Sequence, residues 1–113
     1  MPMPFEPAKP PKNPEAARKL LASLWERNLP LLLDRFAQLE QAVAAARAGT
    51  LSQLQRDDAV AIAHKLAGSL GMFGYPEGTE FARRIEQRLE ASGAVDPMLF
   101  AEDVAAMQAA IPK

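Results

Sequence analysis

Apolar residues recur at helical spacing in several stretches of this chain, and this periodicity restricts its fold more than any other feature. In the clearest stretch the spacings are four, three and four residues: Leu32, Phe36, Leu39 and Val43. Residues three or four apart share one face of an α-helix, so this stripe predicts a helix with one buried side. A second clear stripe comes late in the chain: Phe100, Val104, Met107 and Ile111. No stretch competes as a β-strand, and the pattern therefore predicts an all-α fold.

The first half of the chain is predicted to form two helices. Asn13 can cap a helix N-terminus and Pro14 fits the first turn, so a short N-terminal helix is expected to begin there. We expect a second helix to follow Asn28 and to run over about 29–48. Gly49 then ends it, in the position where helices commonly adopt a left-handed backbone conformation.

Three more helices are predicted in the second half. The third lies within 51–73, where Thr50 and Gln53 have the spacing of a capping box. The fourth follows a Tyr-Pro-Glu-Gly sequence and ends near Ala91, and the last begins at Asp96, a capping residue followed by proline. Four long amphipathic helices with short connections favour an antiparallel up-down-up-down four-helix bundle, with the short extra N-terminal helix covering one end.

The chain is expected to hold one domain and an N-terminal segment. Its 113 residues are too few for two independent cores. Residues 1–12 are rich in proline and offer almost nothing apolar to bury. Such a stretch is typical of an extended, flexible segment. We therefore predict a flexible proline-rich segment at 1–12 and the helical bundle at 13–113.

Composition argues against several classes of function. There is no cysteine and a single histidine, which leaves no thiolate ligand and argues against a structural zinc site. The formal net charge of -1 argues against nucleic-acid binding, which needs clustered lysine and arginine. No apolar run approaches the ~20 residues that cross a bilayer, and the N-terminus lacks the features of a signal peptide. We expect a cytoplasmic protein without a nucleic-acid or membrane partner.

The single histidine, His64, is predicted to lie outside the core. The positions expected to form the buried stripe of its helix fall within about 80° of Ile62 on a helical wheel. These positions are Ile62, Leu66, Ser69, Leu70 and Phe73. His64 lies about 200° from Ile62, nearly opposite this stripe. Its side chain is therefore expected to face solvent or a partner.

Small residues surround His64 on its own helix. Three of the four positions one turn away are alanine or glycine, and another glycine follows two turns on: Ala61, Ala67, Gly68 and Gly71. Long charged side chains normally cover an exposed helix face, so the imidazole is expected to stand over a nearly bare strip. A glycine inside a helix costs about 1 kcal/mol relative to alanine. Its presence suggests that another molecule approaches closely.

A histidine on the surface of an alanine-rich helix often has no function, and this alternative for His64 stays open. A buried structural histidine disagrees with the angle to the stripe, and a metal site lacks strong ligands, since Asp57 is two turns away. A hydrolytic triad lacks support because Ser69 lies about 140° from His64 around the helix.

The segment around His64 resembles the signature of histidine-containing phosphotransfer (HPt) domains. In that family an apolar residue follows the phosphorylated histidine by two positions, a glycine by four, a small residue by five and a second glycine by about ten. The matching residues are His64, Leu66, Gly68, Ser69 and Gly74. The resemblance covers 47–89 in detail and the whole bundle in outline. One position departs: the family usually has lysine three residues after the histidine, where this chain has Ala67.

The resemblance implies a phosphocarrier in a two-component phosphorelay. His64 would accept a phosphoryl group from a receiver-domain aspartyl phosphate and pass it to another receiver. Response-regulator receiver domains are the implied partners, and a hybrid sensor kinase is a further one. The receiver would supply Mg²⁺, and the chain would need no metal or cofactor of its own. We expect a monomer without ATP-dependent kinase activity.

The resemblance also implies which residues lie around the phosphoryl group. The partner is expected to dock over the small residues named above, Ala61, Ala67, Gly68 and Gly71. Lys65 lies one residue after His64 and would have to reach sideways. Arg83 or Arg84 on the next helix could supply the charge of the missing lysine.

The competing hypothesis is a helical adaptor or a degenerate HPt-like module. Such a protein would dock receivers or other partners without transferring phosphate, and His64 would be incidental. Incubation with a phosphorylated receiver separates the two hypotheses.

Overall fold

The computed structural model describes residues 13–111 as a succession of four helices. They are α1 (Pro14–Arg47), α2 (Gln53–Met72), α3 (Pro76–Glu90) and α4 (Pro97–Ala109). All regular secondary structure within 13–111 is helical, which confirms the predicted all-α fold. The segment predicted to be flexible, 1–12, lies outside the described residues.

A single long helix, α1, replaces the two helices predicted in the first half. It begins as predicted, with the Asn13 side chain accepting a hydrogen bond from the Glu15 N–H (2.9 Å). The predicted break after Asn28 is wrong, because the chain stays helical through Pro30. Instead of capping a new helix, the Asn28 side chain donates to the Leu24 carbonyl (2.8 Å). The short extra N-terminal helix is thus the first part of α1.

Tertiary packing on both sides of Pro30 explains why α1 is continuous. A proline in a helix interior removes one N–H and costs about 3 kcal/mol. On its N-terminal side, Trp25 packs against the rings of Phe73 and Tyr75, with both pairs of ring centroids 5.1 Å apart. On its C-terminal side, Leu32 is buried in the core. Trp25 and Leu32 are seven residues apart on one face, so both halves of the helix are held against the bundle.

The capping residues at the start of α2 differ from those predicted. Ser52 accepts a hydrogen bond from the Gln55 N–H (3.1 Å), and the Gln55 side chain accepts one from the Ser52 N–H (2.9 Å). This is a capping box, and the one predicted at Thr50 and Gln53 is wrong. The same residue types recur two positions later, and spacing does not choose between them. Asp96 caps α4 as predicted.

The four helices form the predicted bundle. Both α1 and α3 lie against α2 and α4, so the helices follow chain order around one core. The largest fully buried side chains come from all four helices: Leu32, Leu39, Leu66, Leu70, Ile85, Leu89, Phe100 and Met107. No helix within 13–111 has the length and apolar character to span a membrane.

Candidate functional site

Helix α2 is rotated about its axis relative to the predicted orientation. Its buried side chains are Ala59, Ala63, Leu66, Ala67 and Leu70. Ile62 and Ser69, which were expected in the core, are only partly covered. The difference amounts to a rotation of about 60° on the helical wheel. The three buried alanines explain it, since small side chains let a neighbouring helix approach closely. As a result, His64 lies on the flank of α2 that faces α3.

The imidazole of His64 is exposed, and one of its nitrogens has a partner on α3. The His64 side chain is 75% exposed, and its Nδ1 lies 3.0 Å from Oε1 of Glu86, whose side chain is 21% exposed. An ionised carboxylate can only accept a hydrogen bond, so Nδ1 is the donor and carries the proton. The lone pair of the neutral imidazole is then on Nε2.

Glu86 is the site residue that the sequence did not reveal. It lies 22 residues after His64, and no motif links the two positions. The only signal is its place beside the buried stripe of α3, next to Ile85. That place is common for a solvated acid, and only the packing of α3 against α2 brings the carboxylate to the histidine.

Three contacts define how α2 and α3 are aligned. They pair Thr79 with the Ala67 carbonyl (3.1 Å), Glu86 with His64 (3.0 Å) and the Leu89 carbonyl with Arg56 (2.6 Å). Along these three pairs the residue number on α3 increases while that on α2 decreases, so the two helices are antiparallel. His64 therefore sits near the middle of the α2–α3 seam.

Two arginines outside the predicted site hold α3 in this register. The Arg56 guanidinium donates to three carbonyls at and beyond the end of α3, those of Leu89, Ala91 and Gly93. These are groups that a helix C-terminus leaves without internal partners. Arg88 pairs with Asp103 of α4 (2.8 Å), and the Asp103 side chain is buried. Both contacts fix the helix that carries Glu86.

The nearly bare strip beside His64 is present. Three of the four small residues over which docking was predicted are exposed, Ala61, Gly68 and Gly71, and so is Lys65. Outside the adjacent backbone of α2, a Cβ atom added at Gly68 would meet no atom within 4 Å, whereas one at Gly71 would lie 3.5 Å from the Thr79 hydroxyl. Gly68 thus borders open space one turn from His64.

Ala67 does not belong to this exposed strip, contrary to the prediction. The residue is only 7% exposed, and its carbonyl accepts the hydrogen bond from Thr79. The rotation of α2 accounts for the difference, because it turns position 67 towards α3.

Of the two candidate arginines, Arg84 is directed away from the histidine. It lies about 160° from Glu86 around α3, whereas Arg83 lies within about 60°. The Arg84 guanidinium carbon is 5.2 Å from the centroid of the Phe81 ring, a cation–π contact. The packing therefore brings Arg83, and not Arg84, to the side of α3 that faces His64.

Comparison with known proteins agrees with this geometry. The family model described as Hpt domain matches residues 23–112. Protein RcaC of Microchaete diplosiphon is 35% identical over 77 residues, which cover 68% of this chain and 12% of that protein. The chain thus spans only a small part of that relative's length. No solved structure matches the chain. Since the family match extends over most of the bundle, the chain belongs to the Hpt domain family, and its role is phosphotransfer in two-component signalling.

Proposed function

We propose that this chain is a phosphocarrier that accepts a phosphoryl group on His64 from a receiver-domain aspartyl phosphate and passes it to another receiver. The observation that carries the proposal is the exposed imidazole of His64, hydrogen-bonded through Nδ1 to Glu86 beside a strip of small residues. Membership of the Hpt domain family supports it.

The reaction needs a nitrogen with an available lone pair. Because Nδ1 donates its proton to Glu86, that nitrogen is Nε2 of His64. A bond forms between Nε2 and phosphorus while the bond from phosphorus to the aspartyl oxygen breaks, and the receiver's carboxylate leaves with the electron pair. The Nδ1 proton stays in the hydrogen bond to Glu86, whose negative charge stabilises the positive charge that develops on the ring.

The exposed face of α2 provides the surface on which the receiver docks. Phosphoryl transfer depends on in-line positioning of the reacting atoms, so the receiver's active site must come close to the imidazole. Gly68 leaves space for this approach, since no atom outside the adjacent backbone of α2 lies within 4 Å of its Cβ position. Met72, one turn beyond Gly68 and exposed, offers the receiver an apolar contact.

The receiver and this chain supply different groups to the transfer reaction. The receiver brings the aspartyl phosphate and Mg²⁺, and this chain brings the histidine and the docking surface. In this proposal the chain needs no cofactor of its own, has no ATP-dependent kinase activity and acts as a cytoplasmic monomer. Response-regulator receivers and the receiver of a hybrid sensor kinase are its partners.

Incubation with a panel of radiolabelled, phosphorylated receiver domains tests the proposal. The parental chain is expected to acquire an acid-labile, base-stable label, and the His64→Gln variant to acquire none while its helicity is unchanged. A label on His64→Gln would refute His64 as the acceptor, and a large loss of stability would show that the histidine is structural. A chain that binds phosphorylated receivers without acquiring label would be an adaptor or a degenerate module.

A further inference from the structure

A phosphoryl group on His64 would lie close to the negative charge of Glu86. Its imidazole already contacts the Glu86 carboxylate through Nδ1, at 3.0 Å. A phosphoryl group on Nε2 would add charge of the same sign on the other side of the ring. Like charges at such distances are unfavourable unless a cation lies nearby. Position 67, the place where α2 could carry that cation, is a buried alanine.

Arg83 lies on α3 across from this gap. It is four residues after Thr79 and three before Glu86, within about 40° and 60° of them around the helix. Thr79 donates to the Ala67 carbonyl, and Glu86 contacts His64. Arg83 therefore lies on the same flank of α3, between the two contacts and level with the turn from His64 to Ala67. Arg83 itself is exposed.

The surface of α2 one turn beyond His64 is open. Gly68 lies four residues after His64, about 6 Å along the axis of α2. Outside the adjacent backbone of α2 no atom lies within 4 Å of the Gly68 Cβ position, so there is room around a phosphoryl group on His64.

The other nearby cations fit this role less well. Lys65 lies about 100° from His64 around α2, so its ammonium approaches from the side away from α3. Arg84 lies against the Phe81 ring on the opposite side of α3. Arg83 alone of these three shares a flank with Glu86.

We propose that Arg83 binds the phosphoryl oxygens on His64 and supplies the positive charge that Ala67 does not. This inference rests on the proposed function. The guanidinium presents a planar fork of donors that matches the oxygens of a phosphoryl group. No bond is made or broken by Arg83; its charge stabilises the phosphorylated state and offsets the repulsion from Glu86.

The test uses phosphoramidate, a small phosphoryl donor that needs no receiver. The full chain is phosphorylated on His64, and the half-life of the phosphohistidine is followed by phosphorus NMR at neutral pH. Arg83→Gln is expected to shorten the half-life about fivefold, the ratio produced by about 1 kcal/mol of charge pairing. Arg84→Gln is the matched control and is expected to leave it unchanged, and Arg83→Lys is expected to restore most of the loss. Equal melting temperatures for all variants would exclude a structural effect.

Several results would overturn the inference. These are an unchanged half-life in Arg83→Gln, an equal loss in Arg83→Gln and Arg84→Gln, or a loss confined to Lys65→Gln, which would make Lys65 the phosphoryl-binding cation. Failure of the proposed function looks different. In that case no receiver labels the chain, while the Arg83 and Arg84 variants of the phosphoramidate-treated protein still differ.

Discussion

Replacement of Gly68 by glutamine is expected to stabilise the fold and to slow phosphotransfer. Gly68 lies inside α2, and no atom outside the adjacent backbone of α2 is within 4 Å of its Cβ position. An interior helical glycine costs about 1 kcal/mol relative to alanine, and glutamine is slightly less favourable than alanine, so a gain of about 0.5 kcal/mol is expected. For a domain of this size, that gain raises the melting temperature by about 2–4 °C.

The same substitution is expected to slow transfer strongly. The glutamine side chain would stand one turn from His64, in the volume that the receiver's active site must enter. Forcing extra atoms into a packed contact costs about 1–3 kcal/mol, which corresponds to at least a fivefold weaker complex. Transfer rates measured against receiver concentration should show this chiefly as weaker docking, with a smaller change in the rate at saturation. Thermal unfolding followed by circular dichroism measures the stability gain.

A graded control separates helix propensity from steric obstruction at this position. Gly68→Ala should stabilise the chain at least as much as Gly68→Gln, while its single methyl group obstructs docking less. Transfer by Gly68→Gln at the parental rate would refute close approach over this strip. An unfolded Gly68→Gln variant would show that the glycine packs against a neighbouring helix. The position would then not face the open surface on which docking is proposed.

Two further substitutions test the partner of the imidazole and the buried alanine. Glu86→Ala should slow transfer about fivefold with little change in melting temperature, because an exposed hydrogen bond worth about 1 kcal/mol is lost. Glu86→Gln keeps an acceptor but not the negative charge, and should slow transfer less than Glu86→Ala. Equal rates for both variants, measured with one phosphorylated receiver, would contradict the role of Glu86. Ala67→Lys should destabilise the chain by about 1 kcal/mol, since the lysine stem must fit beside α3, and should lengthen the phosphohistidine half-life of Arg83→Gln by placing an ammonium near the phosphoryl group. An unchanged half-life in the double variant would contradict that second effect.

The helix count shows where local pattern and tertiary packing disagree. Asn28 is typical of a helix N-terminus, and it predicted a break that does not occur. The contacts of Trp25 with Phe73 and Tyr75 stabilise the helix on the far side of the proline. Those partners are distant in the chain, so the sequence around Pro30 does not reveal the contacts that offset the unfavourable free energy of an interior proline.

The orientation of α2 shows a second limit of the sequence. The large apolar residues predicted a buried face around Ile62, whereas the structure buries the alanines at positions 59, 63 and 67. Alanine is ambiguous in a helical wheel, because it is tolerated both in cores and on surfaces. The close approach of a neighbouring helix decides which alanines become buried, and that approach depends on residues of the other helices.

Local sequence pattern predicted the all-α fold, the later helices, the cap at Asp96 and the exposed His64 with its open glycine at position 68. These features depend on residues within a few turns of one another, which periodicity and capping describe directly. Three features became evident from the packing of the helices: α1 is continuous, Ala67 is buried and Glu86 contacts the imidazole. The reason is physical: each of these depends on the register and distance between two packed helices, which are set by side chains far apart in the chain.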